Sequence, residues 1–232
     1  MIYPEIFDGF VMGFFTGKDV GLNVEAITGR RVFYPVQKHT DTVIHVREKT
    51  RPSAGDAVIT QRNDILLGVK SADCVPILIY DKVGHAIGAV HAGWRGTAAG
   101  ILKKTIKEME AAFCTDPEDL LISLGPSIRW CCYEVGREVI DAVKKETGKD
   151  GEYYKPKKAG RGEAGNKFCL DLQSANKLQA LSMGVPERSI SIVEECTYCF
   201  PDRYYSYRYA LKQGGPDSPA AKRRQGGFIG MP

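Results

Sequence analysis

Residues 74–91 read CVPILIYDKVGHAIGAVH, and this stretch decides the fold. Two apolar runs of strand length, 75–80 and 85–91, flank the residues DKVG, which are typical of a tight turn. The pattern predicts a β-hairpin whose two strands run antiparallel.

The register of this hairpin brings two metal-binding residue types together. A turn of two or four residues centred on Lys82 and Val83 places Cys74 directly opposite His91. Opposed side chains share one face of the sheet, with Cβ atoms about 4.5–5.5 Å apart. A thiolate and an imidazole at that spacing can bind one zinc ion, although simple packing is the alternative.

A third ligand has to come from outside the hairpin. His85 precedes His91 by six residues on the predicted strand, so it lies roughly 20 Å away at about 3.3 Å per residue. His39 and His45 are the remaining histidines. His45 lies within a strand pattern, whereas His39 lies before it, where a loop can reach inward.

The rest of the chain reads as a mixture of strands and helices. Alternation and apolar runs predict strands over 42–48, 57–61, 65–70, 120–125 and 189–194, and helical spacing predicts helices over 97–113, 134–147 and 172–183. Residues 149–167 are charged and glycine-rich, which predicts a surface loop that can act as a lid. Because hairpins outnumber βαβ units, we expect an α+β fold in a single domain over residues 1–232.

Composition narrows the class of protein. The 232 residues are 43% hydrophobic and 26% charged, which is ordinary for a globular protein. A net charge of +4 is too small to indicate a nucleic-acid partner, and no apolar run reaches the length of about 18 residues that a membrane span needs. The first residues, MIYPEIFDGF, lack the pattern of a signal peptide, so we expect a cytoplasmic protein.

The chain has seven cysteines, an odd number that fits reduced thiols in a cytoplasmic protein. Cys196 and Cys199 form a CxxC motif without a second half in the sequence. Buried thiols are the simplest interpretation of this motif, and a redox or zinc role is the alternative.

Two further segments contain candidate functional residues. Gly93 and Arg95 lie in HAGWRGT, where a strand is predicted to turn into a helix whose first N–H groups attract anions. An ordinary turn with a surface arginine is the alternative. Cys132 opens the predicted helix 134–147, where its pKa would fall and His91 could act as its base. Adjacent cysteines are not expected to face the same side, so one of Cys131 and Cys132 is predicted to be core.

These motifs, taken together, resemble the YfiH/YlmD family, which is also called the laccase-domain or multicopper polyphenol oxidoreductase family. The matching segments are QKH at 37–39, SADCVP at 71–76, AVHAGWRG at 89–96, GPSI at 125–128, CCYEVG at 131–136, LDL at 170–172, CTYC at 196–199 and YSYR at 205–208. The resemblance implies an α+β fold of mixed β-sheets in layers flanked by helices, shared with the catalytic domain of cytotoxic necrotizing factor.

The resemblance also implies one zinc ion held by His39, Cys74 and His91. Older descriptions of the family name copper instead. Four histidines cannot supply the copper centres of a laccase, and this argues against a copper oxidase.

The activity implied is phosphorolysis of adenosine, inosine, guanosine and methylthioadenosine, together with deamination of adenosine. Purine nucleosides and phosphate are then the partners, and a monomer or weak homodimer is expected. We expect Arg95, Cys132 and Asp73 to be catalytic, and Arg95, Gly93 and Arg208 to bind substrate.

Two alternatives stay open at this point. Asp73 or Asp41 could orient a histidine ligand by accepting a hydrogen bond from the ring nitrogen that does not bind the metal. A cysteine or zinc hydrolase that edits cell-wall peptide precursors would instead use Cys74 or Cys132 with His91.

Overall fold

The computed structural model describes residues 1–148, 153–157 and 167–232, and three sheets are formed within these ranges. The strands are β1 (Met12–Phe15), β2 (Val32–Phe33), β3 (Val43–His45), β4 (Ala57–Thr60), β5 (Leu66–Ser71), β6 (Val75–Asp81), β7 (Ala86–Ala92), β8 (Leu120–Leu124), β9 (Glu134–Gly136), β10 (Tyr154–Pro156), β11 (Lys167–Leu170), β12 (Ile190–Ile192) and β13 (Gln225–Gly230). The helices are α1 (Val24–Thr28), α2 (Trp94–Ala98), α3 (Ile101–Phe113), α4 (Arg137–Thr147), α5 (Leu172–Ser182), α6 (Tyr207–Gly214) and α7 (Pro219–Lys222).

The largest sheet has the strand order β12-β8-β6-β7-β4-β3 and mixes parallel and antiparallel pairs. A second sheet has the order β1-β13-β5-β2, and a small third sheet has the order β10-β11-β9. The predicted α+β class with mixed sheets is therefore confirmed.

The hairpin β6–β7 lies at the centre of the largest sheet and is buried on both faces. Side chains on one face, such as Ile77 and Val90, pack with helices α3, α4 and α5 in one core cluster. Those on the other face, such as Leu78 and Ala89, pack with the second sheet. Burial on both faces explains why both strands are apolar throughout, as is usual for sheets covered by layers on each side.

The register predicted for this hairpin is wrong by two residues. His91 pairs with Pro76, and the last pair before the turn is Asp81 with Ala86. The Asp81 carboxylate accepts hydrogen bonds from the backbone N–H groups of Val83 and Gly84 at 3.0 and 2.7 Å, which moves the centre of the turn forward along the chain. A shift of two residues keeps every side chain on its predicted face, so Cys74 remains on the same side as His91.

Two predicted helices are shorter than expected. The predicted helix 97–113 is divided at Gly100, whose φ of 71° is a left-handed conformation that glycine adopts without strain. The predicted helix 134–147 begins only at Arg137, because residues Glu134–Gly136 pair with β11 as strand β9. Within the predicted loop 149–167, Tyr154–Pro156 forms strand β10, and residues 149–152 and 158–166 lie outside the described ranges.

Within the described ranges, none of the helices combines the length and the apolarity of a membrane span.

Candidate metal centre

His39, Cys74 and His91 come together at one end of the central hairpin. His91 lies near the end of β7, Cys74 immediately precedes β6, and His39 lies in the loop before β3. Their potential ligand atoms all lie within 4.8 Å of one another. Cys74 Sγ is 4.0 Å from His39 Nε2, below about 4.3 Å, the sum of a typical Zn–S and a typical Zn–N bond. One thiolate and two imidazoles at these distances fit a divalent metal ion.

The other two histidines lie elsewhere. His45 stacks edge-on against Phe113 with ring centroids 4.9 Å apart. His85 contacts the Tyr80 hydroxyl through Nδ1 at 3.1 Å. Of the two candidates for a third ligand, the structure therefore brings His39 to the cluster and not His45.

Two residues of the cluster loops have unusual backbone conformations. His39 has φ = 58° and Asp73 has φ = 86°, both in the left-handed region that non-glycine residues rarely adopt. The Ser71 hydroxyl donates to the Cys74 carbonyl and closes the turn that contains Asp73. Strained backbone of this kind persists where the surrounding structure holds it in place, and it is often found at functional sites.

Asp56 orients His91 from behind. Its carboxylate, which is fully buried, accepts a hydrogen bond from His91 Nδ1 at 2.8 Å. The other carboxylate oxygen accepts from the backbone N–H groups of Lys38 and Thr40, at 3.0 and 2.7 Å. These two residues flank His39 in the chain. A single carboxylate thus holds both imidazole-bearing segments, and it leaves His91 Nε2 available for a metal.

Neither carboxylate proposed from the sequence for this role fills it. Asp41 is paired with Lys104 at the surface. Asp73 is buried, but it accepts from Thr197 Oγ1 at 2.6 Å and from the Arg208 backbone N–H at 2.7 Å. Asp56 had no local signal in the sequence, because only the pairing of β4 with β7 brings it beside His91.

The charges in the cluster form a thiolate–imidazolium pair at neutral pH, so a metal ion that binds there displaces the His91 proton. Burial acts to raise the pKa of Cys74, but the adjacent His91 and His39 outweigh it and lower the pKa to about 6. Burial acts to lower the pKa of His91, but the Cys74 thiolate and the hydrogen bond to Asp56 raise it to about 9. A sulfur that is already a thiolate near neutral pH is the form that binds metals.

Gly93, which was predicted to bind substrate, lies against the ligands themselves. A Cβ atom at this position would lie 2.9 Å from Cys74 Sγ and 3.2 Å from His39 Cδ2. The close approach explains why a glycine is needed between His91 and Arg95.

The two arginines predicted to bind substrate are placed differently. Arg95 is exposed and lies over the Trp94 ring, with its guanidinium carbon 4.5 Å from the ring centroid. The Arg208 guanidinium donates to the Glu134 carbonyl at 3.2 and 3.3 Å and lies over the Tyr133 ring at 5.4 Å.

Tyr133 is a site residue that the sequence reasoning missed. Burial raises the pKa of its hydroxyl, and the negative charge of Cys74 adds to the effect while Arg208 and Arg95 oppose it. The hydroxyl therefore lies within electrostatic range of both the cluster and the two arginines. Its position within the CCYEVG segment was the one available signal.

Cys132 was expected at a helix N-terminus, but it lies in the loop before β9. Its sulfur lies 3.3 Å from Cys199 Sγ, and the Cys131 sulfur lies 3.7 Å from the same atom. Both adjacent cysteines thus face Cys199, contrary to the prediction that they point to opposite sides. Burial, followed by the hydrogen bond with Cys199, raises the pKa of Cys132, which is the opposite of the predicted shift.

Comparison with known proteins places these features in context. Residues 20–217 match the profile of the family described as multi-copper polyphenol oxidoreductase laccase. The chain is 42% identical over 160 residues to a purine nucleoside phosphorylase of Bacteroides thetaiotaomicron, covering 68% of this chain and 57% of that protein. It is 35% identical over 153 residues to the adenosine deaminase RL5 of an unknown prokaryotic organism, covering 66% of this chain and 56% of that protein.

The fold is also similar to solved structures. The crystal structure of YlmD from Geobacillus stearothermophilus superimposes with a TM-score of 0.84 at 25% identity, covering 98% of this chain and 94% of that one. The matched region spans little more than half the length of the Bacteroides and RL5 proteins, whereas it covers nearly all of the YlmD chain.

Proposed function

The chain belongs to the multi-copper polyphenol oxidoreductase laccase family, which includes YfiH and YlmD, and we propose that it is a zinc-dependent purine nucleoside phosphorylase. Adenosine, inosine, guanosine and methylthioadenosine are the proposed substrates, with phosphate as the second reactant. The name of the Bacteroides relative supports the reaction class. The observation that carries the proposal is the convergence of His39, Cys74 and His91 in front of the buried Asp56.

The donor set favours zinc over the copper implied by the family description. One sulfur and two imidazole nitrogens are common zinc ligands, and three protein ligands leave a fourth position open, as in catalytic zinc sites. A laccase needs both a blue copper centre and a copper cluster, for which four histidines are too few. A bound zinc ion would supply Lewis acidity and would lower the pKa of a bound water.

The residues of the chain would perform the positioning. In phosphorolysis a phosphate oxygen bonds to the anomeric carbon of the ribose while the bond from that carbon to the purine nitrogen breaks. The planar guanidinium of Arg95 is exposed and suits a bidentate contact with the phosphate. Arg208 and Tyr133, which contact each other, would line the nucleoside side of the site.

The direct test is incubation of the zinc-loaded protein with inosine and phosphate. We expect hypoxanthine and ribose 1-phosphate in equal amounts, and no hypoxanthine when phosphate is omitted. The variant Cys114→Ser should form the same products as the unaltered protein, because Cys114 is an exposed cysteine at the end of α3, outside the cluster. If the zinc-loaded protein forms no hypoxanthine, the phosphorylase assignment is wrong.

We propose adenosine deamination as a second activity of the same site, supported by the name of the RL5 relative. In this reaction water adds at C6 of the purine and ammonia leaves. Incubation with adenosine in the absence of phosphate should yield inosine and ammonia. Absence of both products from a protein that still cleaves inosine with phosphate would remove this activity alone.

The hydrolase alternative is favoured by one specific observation. Cys74, His91 and Asp56 form a chain of contacts that resembles the nucleophile, base and orienting carboxylate of a cysteine hydrolase. In this alternative the metal-free protein would cleave peptide amides and iodoacetamide would stop it. The zinc proposal predicts the reverse, with no amide cleavage after metal removal. Cys132, the other candidate nucleophile, has Cys199 as its close neighbour.

A further inference from the structure

Four cysteines converge in a second cluster outside the site described above. Cys131 and Cys132 lie in the loop between β8 and β9, and Cys196 and Cys199 lie in the loop after β12. All four sulfur atoms lie within 4.8 Å of one another. The CxxC motif therefore has a second half, which is contributed by a distant CC pair.

The two loops meet because their strands are neighbours. Strands β8 and β12 pair in parallel, so the chain leaves both at the same edge of the sheet. Beyond the strands, Ser127 and Cys196 form an isolated parallel bridge, and the Thr197 N–H donates to the Ser127 carbonyl at 3.0 Å. The backbone thus fixes the relative position of the two cysteine pairs.

The sulfur spacing matches a shared metal ion. Four sulfurs bound tetrahedrally to zinc at about 2.3 Å lie about 3.8 Å apart. Cys131 Sγ and Cys132 Sγ lie 3.7 and 3.3 Å from Cys199 Sγ. A disulfide needs about 2.05 Å and joins sulfurs in pairs, whereas here two sulfurs approach the same third one.

A backbone N–H group also donates to the cluster. The Arg129 N–H donates to Cys196 Sγ at 3.4 Å. Outer hydrogen bonds to metal-bound ligands orient them and offset their negative charge.

We propose that Cys131, Cys132, Cys196 and Cys199 bind a structural Zn²⁺ ion, separate from the ion at His39, Cys74 and His91. Four protein thiolates leave no open position, which is typical of structural zinc sites. The ion would join the loop after β8 to the loop after β12. Thr197 lies in the second loop and holds Asp73 beside Cys74, so the structural ion would support the wall of the first site.

Metal analysis of the purified 232-residue chain tests the proposal. We expect two zinc ions per chain, with one remaining in the double variant Cys196→Ser/Cys199→Ser and one remaining in Cys74→Ala. Cys114→Ser, the matched control, should keep two. Unchanged zinc content in the double variant would overturn the proposal, whether or not the protein cleaves nucleosides.

A second measurement uses the unaltered protein and does not depend on the folding of a variant. Cys114, Cys131 and Cys199 are all exposed. In zinc-loaded protein, mass spectrometry should find iodoacetamide on Cys114 but not on Cys131 or Cys199, and a chelator should make all three reactive. Equal alkylation of the three before chelation would overturn the proposal. So would protection that only a reductant removes, because that result identifies a disulfide.

Discussion

The two sulfur-containing clusters of this protein differ in what holds them. His39, Cys74 and His91 lie at the end of the central hairpin of a six-stranded sheet, and a fully buried carboxylate orients one imidazole. The four-cysteine cluster lies on two loops, and the Arg129 backbone N–H donates to one of its sulfurs. The first has mixed donors and room for a further ligand, whereas the second has four equal donors. We infer that the sheet positions a metal ion that takes part in the reaction. The two loops, in contrast, need their metal ion to keep their conformation.

The largest expected effect comes from removing the sulfur of the first cluster. Cys74→Ala should lower inosine phosphorolysis by about three orders of magnitude, because a Lewis-acid ion contributes several kcal/mol to the transition state. Hypoxanthine release measures the activity, and metal analysis should show that the four-cysteine zinc is still present. A variant that keeps most of its activity would show that the first cluster is not the reaction centre.

Replacing the carboxylate behind His91 should have the next largest effect. Asp56→Asn should weaken zinc binding at the first cluster by about 10- to 100-fold, as is usual when an outer-shell partner is lost. Competition with a chelator measures the affinity. Asp41→Asn is the control, because Asp41 is paired with Lys104 at the surface and should leave the affinity unchanged. Equal affinities for the two variants would contradict the role given to Asp56.

Replacing a cysteine of the second cluster should lower the stability of the protein more than its catalytic activity. Cys196→Ser should lower Tm by about 10 °C, because joining the two loops is expected to be worth about 4 kcal/mol, as a disulfide of similar span is. We expect activity to fall by about tenfold or less, since the first cluster keeps its ion. Thermal unfolding in parallel with the inosine assay separates the two effects. A larger loss of activity than Cys74→Ala causes would reverse the assignment of roles.

The smallest effect concerns the hydrogen bond that joins the two regions. Thr197→Val removes the hydroxyl that donates to Asp73, so a buried carboxylate oxygen loses this hydrogen bond. The free energy of unfolding should fall by about 2 kcal/mol. The corresponding fall in Tm is about 4–8 °C for a chain of this size. Thr197→Ser keeps the hydroxyl and should restore most of the stability, while both variants keep two zinc ions. If serine does not restore stability, the side-chain methyl matters more than the hydrogen bond.

The sequence predicted the first cluster better than it predicted the details of the hairpin. Cys74 and His91 were expected to be directly opposed, but Pro76 is the true partner of His91. The inference survived because a slip of two residues preserves the face of every side chain in a strand. A slip of one residue would have separated the two groups.

What the sequence could not show depends on contacts between distant segments. Asp56 reaches His91 through the antiparallel pairing of β4 with β7, and no local pattern marks it. The second half of the CxxC motif was missed because the parallel pairing of β8 with β12 brings the CC pair to it. Helix boundaries at Gly100 and Arg137 also differed, since strand pairing and a left-handed glycine outweighed helical periodicity.

The position of β13 has a consequence for biosynthesis. Although β13 is the last strand in the sequence, it lies between β1 and β5, and Phe228 within it is fully buried. During translation β1 and β5 are made long before the strand that joins them, so both leave the ribosome with unpaired edges. Exposed edges of this kind favour aggregation. Closure of this sheet therefore cannot precede the synthesis of β13, which makes it a late step relative to the formation of β1 and β5.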